Sequence, residues 1–189
     1  MAKELEVTFR TMLSQNEYLK LAEMYKDKPA NLQTNYYFDT PRFTLKASEI
    51  VLRVRKRDKY ELTLRRKKGY NKIEITSIIS EEEFKSFVEE GIIPNEEIKN
   101  DLADIIKEQS LTNYMSLSTY RIFFPHMHGT LAIDKCTFVG QTDYELEFEG
   151  QSYEQTKKEF VQTVKQFGIA YKKGDTKIKR AYDALKRSF

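Results

Sequence analysis

Residues 142–150 read TDYELEFEG, and in this stretch Glu145, Glu147 and Glu149 alternate with Leu146 and Phe148. A period of two marks a β-strand, whose successive side chains point to opposite faces. One face of this strand is apolar; the other carries three carboxylates about 6.5–7 Å apart along the row. Such a row repels itself unless counter-charge lies beside it. The alternation recurs at 3–11, 34–39, 49–57, 59–67, 71–78, 112–124 and 130–139. In the first of these, Glu4, Glu6, Thr8 and Arg10 oppose Leu5, Val7 and Phe9. At 49–57, Arg53, Arg55 and Arg57 oppose Leu52 and Val54. Glu61, Thr63, Arg65 and Lys67 then oppose Leu62 and Leu64, and Lys72, Glu74 and Thr76 oppose Ile73 and Ile75.

Between these runs stand turn residues: Asp58-Lys59, Gly69-Tyr70-Asn71, His128-Gly129 and Gly140-Gln141. Strands joined so tightly pair antiparallel. Helical periodicity predicts helices at about 15–26, 81–90, 95–108, 153–167 and 176–187. Ser14 or Asn16 can cap the first, and Ser80 with Glu83 forms a capping-box pattern for the second. Gly91 and Gly168 stand where helices of this length should stop. No repeat or Pro/Gly-rich linker divides the chain. The expectation is therefore one domain over 1–189, with a helical insertion at about 81–108 and C-terminal helices at about 153–187.

Alternation alone fits an antiparallel sheet with one face on helices and the other in water. Two details point instead to closure. Each strand concentrates one sign of charge, and the acidic strands are the first and the last. If the sheet closes, these become neighbours and Glu4, Glu6, Glu145 and Glu147 converge. A closed sheet of eight strands leaves room for side chains or one small ligand. Acids on one wall and bases on another suit an anion held through hard divalent cations, which take carboxylate and phosphate oxygens.

The formal net charge of +3 lacks the strong basicity of a general nucleic-acid binder, although 32% of the residues are charged. A single cysteine, Cys136, excludes an internal disulfide and suits a reducing compartment. No apolar run approaches the roughly 18 residues of a membrane helix, and the opening MAKELEVTFR is not a signal peptide. A cytoplasmic protein without membrane or nucleic-acid partners is expected, monomeric or homodimeric. Neither a G-x-x-x-x-G-K-[ST] loop nor a G-x-G-x-x-G turn is present, so phosphate binding must use side chains.

The motifs carry a resemblance. Glu4-Leu5-Glu6, NYYFDTP at 35–41, LRVR at 52–55, YELTLRRK at 60–67, TYR at 119–121, LAIDKCTFVG at 131–140, DYELEFE at 143–149 and TKIKRAY at 176–182 follow one another along almost the whole chain. In this order they resemble the CYTH superfamily, the triphosphate tunnel metalloenzymes. That group includes thiamine triphosphatases, inorganic triphosphatases and class IV adenylyl cyclases. The resemblance implies an α+β fold: a closed eight-stranded antiparallel β-barrel, a tunnel with charged interior and helices packed outside. It implies that Glu4, Glu6, Asp134, Glu145 and Glu147 hold Mg²⁺ or Mn²⁺. Arg53, Arg55, Arg65 and Arg121 would grip phosphate oxygens, and Lys177 would close over the phosphate chain. The implied activity is hydrolysis of a triphosphate; cyclic AMP synthesis and binding without turnover are the alternatives. The family pattern E-x-E-x-K meets Thr8 at its lysine position, with Arg10 one pleat further on as a replacement phosphate ligand. Glu61 and Glu74 would balance the arginines.

Other polar residues read more plainly. Asp39 and Pro41 suit a turn or cap, and Tyr36, Tyr37 and Phe38 suit packing. His126 and His128 have no third ligand nearby in sequence and adjoin a turn. Nothing in the sequence marks an activating partner for Cys136.

Overall fold

A computed structural model describes residues 7–68 and 71–188. Among these residues the elements follow in the order β1 (Val7–Leu13), α1 (Gln15–Met24), β2 (Ala30–Asp39), α2 (Thr44–Ala47), β3 (Val51–Lys56), β4 (Tyr60–Lys68), β5 (Asn71–Ile79), α3 (Glu81–Glu90), α4 (Glu96–Ile106), β6 (Thr112–His126), β7 (Gly129–Phe138), β8 (Gln141–Gly150), α5 (Tyr153–Gln166) and α6 (Lys177–Arg187). The strands form one sheet in the order β1-β8-β7-β6-β2-β3-β4-β5. The first and last strands expected to converge do pair, antiparallel, with Arg10 opposite Glu147. β1 and β5 stand at the two ends of this order, so the expected closed barrel is reached only as far as its eight antiparallel strands. No helix among the described residues is long and apolar enough to cross a membrane.

The chain divides into two compact units, Gln33–Leu117 and the remainder. In the first, the apolar side of β3 and β4 (Leu52, Val54, Leu62, Leu64) packs on Phe87 of α3 and on Ile98 and Leu102 of α4. Phe38 and Phe87 stack with ring centroids 4.0 Å apart. The apolar positions of α3 and α4 fall at helical spacing, and capping fixes where both start. Ser80 and Glu83 exchange side-chain and backbone bonds, Asn95 accepts from the Ile98 amide, and Gly91 ends α3 at φ 73°. Burying side chains of this size contributes about 1.5–3 kcal/mol each.

In the other unit, Leu131 and Ile133 of β7 and Leu146 and Phe148 of β8 pack on Tyr18 and Leu21 of α1 and Phe160 and Val164 of α5. Ser14 and Glu17 make the capping box of α1. In both units the faces opposite these cores carry the ionic residues. The β7–β8 turn falls at Val139-Gly140, both at positive φ, one residue before the expected position.

Candidate functional site

The register of β1, β8 and β7 builds the acidic face. Glu147 lies between Arg10 and Ala132, Glu145 between Met12 and Asp134, and Glu149 between Thr8 and Thr130. Small Ala132 leaves room beside Glu147. Asp134 directly opposite Glu145 is a like-charge pair, which destabilises a sheet unless neutralised. Both are fully buried and Glu147 is nearly so. Oxygens of Asp134, Glu145 and Glu147 lie within 4.8 Å of one another.

The counter-charge comes from α6 and β6. Lys177 Nζ lies 2.9 Å from Asp134 Oδ2, 2.9 Å from Glu147 Oε1 and also in contact with Glu145 Oε1. Arg121 donates through Nε and Nη2 to both Asp134 oxygens at 2.9 and 2.7 Å, and Nη2 also pairs with Glu147. Arg180, one turn beyond Lys177, grips Asp143 through Nε at 2.7 Å and Glu145 through Nη2 at 2.5 Å. Arg10 Nε donates to Glu147 at 3.3 Å. A buried triad so dressed is a cation-holding centre already carrying an ammonium group.

Protonation follows the geometry. Burial pushes the Glu145 carboxyl up, more than Lys177 pulls it down. Burial would raise Glu147 too, but Lys177, the Glu145 hydrogen bond and Arg121 hold it well below the usual carboxylate range. Burial opposes the charge on Lys177, yet Asp134, Glu147 and Glu145 outweigh it and raise its pKa.

The basic face lies on β3 and β4 of the other unit. Burial, then neighbouring Arg65, depress the pKa of Arg53, whose buried Nε has no hydrogen-bond partner among the described residues. Arg55 is pushed down to about 10 by burial and by Arg53 and Arg57. Glu61 stands 3.9 Å from Arg55 Nη1, and Glu74 pairs with Arg65 Nε at 2.5 Å.

Of the expected metal-holding residues, Asp134, Glu145 and Glu147 are together, whereas Glu4 and Glu6 lie outside the described residues. Lys177 and Arg121, expected on phosphate, sit among carboxylates. Asp143 was not expected at the site, although it lies two residues before Glu145 on the same strand face. His126 Nε2 instead meets Thr163 Oγ1 at 3.1 Å, and His128 Nδ1 meets Glu159 at 2.6 Å, tying the β6–β7 turn to α5. Asp39 accepts the amides of Thr40, Leu45 and Lys46 at 2.7–3.0 Å, the capping role expected of it. Cys136 is fully buried beside Asp134 on the acidic face.

Residues 4–182 match the CYTH domain family. The chain belongs to this family. YjbK of Bacillus subtilis (strain 168), a triphosphatase by name, is 29% identical over 192 residues, with both chains covered completely. A Bacillus halodurans protein described as an adenylate cyclase is 30% identical, with a TM-score of 0.75 over 95% of this CYTH chain and 98% of that one. A Hippeastrum protein described as an adenylyl cyclase with dominant triphosphatase activity has a TM-score of 0.71 at 18% identity, covering 97% of this chain and 95% of its own. At that identity its likeness supports the fold alone.

Proposed function

We propose that this CYTH protein hydrolyses a triphosphate with Mg²⁺ or Mn²⁺, the substrate being inorganic triphosphate, thiamine triphosphate or a nucleoside triphosphate. The observation that carries the reading is the buried triad Asp134, Glu145 and Glu147 with a cation, the Lys177 ammonium, seated among its oxygens. Three carboxylates are a hard-oxygen donor set, so the residues present fit a divalent ion. Closure of the sheet into a barrel belongs to the same proposal, as do a single domain over the chain and Glu4 and Glu6 as further ligands. The name of YjbK supports hydrolysis.

When bound, the ion would polarise phosphate oxygens and lower the pKa of a coordinated water. The chain's own groups do the rest. Asp134, Glu145 and Glu147 would hold the ion, and Lys177, freed from the triad, would bind phosphate. Arg53, Arg55, Arg65 and Arg121 stabilise charge on the phosphoryl oxygens. Arg53 and Arg55 are the best suited, because burial and neighbouring guanidinium groups oppose their charge and a bound anion would relieve both. At the family's lysine position this chain has Thr8, with the Arg10 guanidinium, a hydrogen-bond donor without acceptor capacity, two residues away. Glu61 and Glu74 steady the arginines when no anion is bound.

The 30% identity to a protein described as an adenylate cyclase favours a second reading, in which a ribose hydroxyl replaces water. A panel of triphosphates with Mg²⁺ or Mn²⁺, assayed for phosphate, pyrophosphate and cyclic AMP, decides between them. Phosphate release lost in Glu147→Gln is the expected result. Cyclic AMP with pyrophosphate would install the cyclase reading, and normal turnover in folded Glu147→Gln would remove the metal assignment.

A further inference from the structure

The arginines of the two units are held in different ways. Arg121 and Arg180 are gripped by carboxylates. The row on β3 and the Arg57 that follows it face neutral groups of β2, one for each guanidinium. Gln33 Oε1 accepts from Arg57 Nε at 2.9 Å, and Asn35 Oδ1 accepts from Arg55 Nε at 3.2 Å. Tyr37 is the direct cross-strand partner of Arg53, as Asn35 is of Arg55. Gln33, Asn35 and Tyr37 sit at alternate positions of one strand, so they share a face. All three are buried, although polar side chains are mostly found exposed.

A neutral acceptor fixes where a guanidinium points without cancelling its charge. A carboxylate in the same place would do both, and would fill the edge that an anion needs. The chain incurs a visible cost for the neutral choice. Arg53 Nε is left without a partner among the described residues, and Arg55 is pushed down to about 10. The nearest acid to Arg55, Glu61, is 3.9 Å away and partly exposed.

We infer that Gln33, Asn35 and Tyr37 are positioning residues: a neutral ladder that keeps Arg57, Arg55 and Arg53 charged and aligned for an extended polyanion. The inference rests on the triphosphate reading above and adds Arg57, at the exposed end of the row, to the binding surface. Guanidinium groups repeating about every 6.5–7 Å along the strand select a chain of phosphates over a single phosphate.

The test is calorimetric titration of the full chain with inorganic tripolyphosphate and with monophosphate, without divalent metal, over a range of salt. The wild type is expected to bind tripolyphosphate far more tightly than monophosphate. Asn35→Asp places a charge on Arg55 with almost no change of shape. It should weaken tripolyphosphate binding about tenfold or more and make the remaining affinity less dependent on salt. Gln33→Glu, at the exposed end of the row, should act in the same direction and carries the test if Asn35→Asp does not fold. In turnover, both variants should raise KM more than they lower kcat. Wild-type affinity and salt dependence in a folded Asn35→Asp, or in Gln33→Glu, would overturn the ladder while leaving the triphosphate reading standing. No tripolyphosphate binding by the wild type would overturn both.

Discussion

Lys177→Met removes the ammonium from the acidic triad while keeping an unbranched side chain on α6. Lys177 Nζ stands 2.9 Å from Asp134 and from Glu147 and also contacts Glu145. Asp134 and Glu145 are fully buried, so water cannot take the place of the missing charge. Removing one partner of a buried ion pair costs about 3–5 kcal/mol. For a chain of this size, at about 2–4 °C per kcal/mol, Tm should fall by roughly 6–20 °C. Arg121 and Arg180 remain in place and favour the lower end of that range.

Metal reverses the sign of the comparison. In the wild type a divalent ion must displace the ammonium, whereas in Lys177→Met the triad is open to it. Thermal unfolding in chelator and then over a series of Mg²⁺ or Mn²⁺ concentrations measures both effects. The metal-induced rise in Tm should be larger in the variant and should begin at about tenfold lower concentration or less, a factor that needs only about 1.4 kcal/mol. An unchanged Tm in chelator would mean that Lys177 does not neutralise the triad. Equal metal responses in the two proteins would mean that ion and ammonium do not compete for one place.

Further outcomes follow from other residues. Glu17 is held below its ordinary pKa of 4.5 chiefly by the Ser14 amide, with help from Lys172. A depressed carboxylate adds stability above its unfolded pKa and loses it as pH falls through the folded value. Glu17→Gln should therefore lower urea stability at pH 7, with the gap to wild type closing below about pH 4.5. Asp39→Ala strips the acceptor from the Thr40 amide and from two amides of α2, Leu45 and Lys46, and should cost at least about 2 kcal/mol in urea unfolding. Cys136 is fully buried, and burial, followed by Glu145, raises its thiol pKa. Iodoacetamide should label it only on unfolding, and rapid labelling of the native protein would contradict its place in the sheet.

Most of the fold was legible because its signals are local. Period-two runs located the eight strands, the Ser80–Glu83 pair fixed one helix start, and of Ser14 and Asn16 it is Ser14 that caps α1. The departures have physical reasons. α2 is four residues long, too short to show a period, and it forms where Asp39 gathers its amides. β2 begins at Ala30, before its strong β-formers. Closure was inferred from charge placement, and the sheet order supports only the juxtaposition of β1 and β8 on which that argument relied.

The site was legible by face but not by partner. The resemblance singled out Arg121 and Lys177, yet it does not say whether a cation meets phosphate or carboxylate. That depends on register, a relation between distant strands. Asp134 opposes Glu145 across β7 and β8, and this clash draws in Lys177 and Arg121. Asn35 opposes Arg55 across β2 and β3, and Arg55 stays charged beside a neutral amide. A slip of one residue between β2 and β3 would set Tyr36 opposite Arg55 and turn Gln33, Asn35 and Tyr37 to the other face of the sheet. The basic row would then lose its neutral acceptors although every arginine kept its place in the sequence. An inventory of charged residues finds the components of this site, but the strand pairing decides which of them remain free to bind an anion.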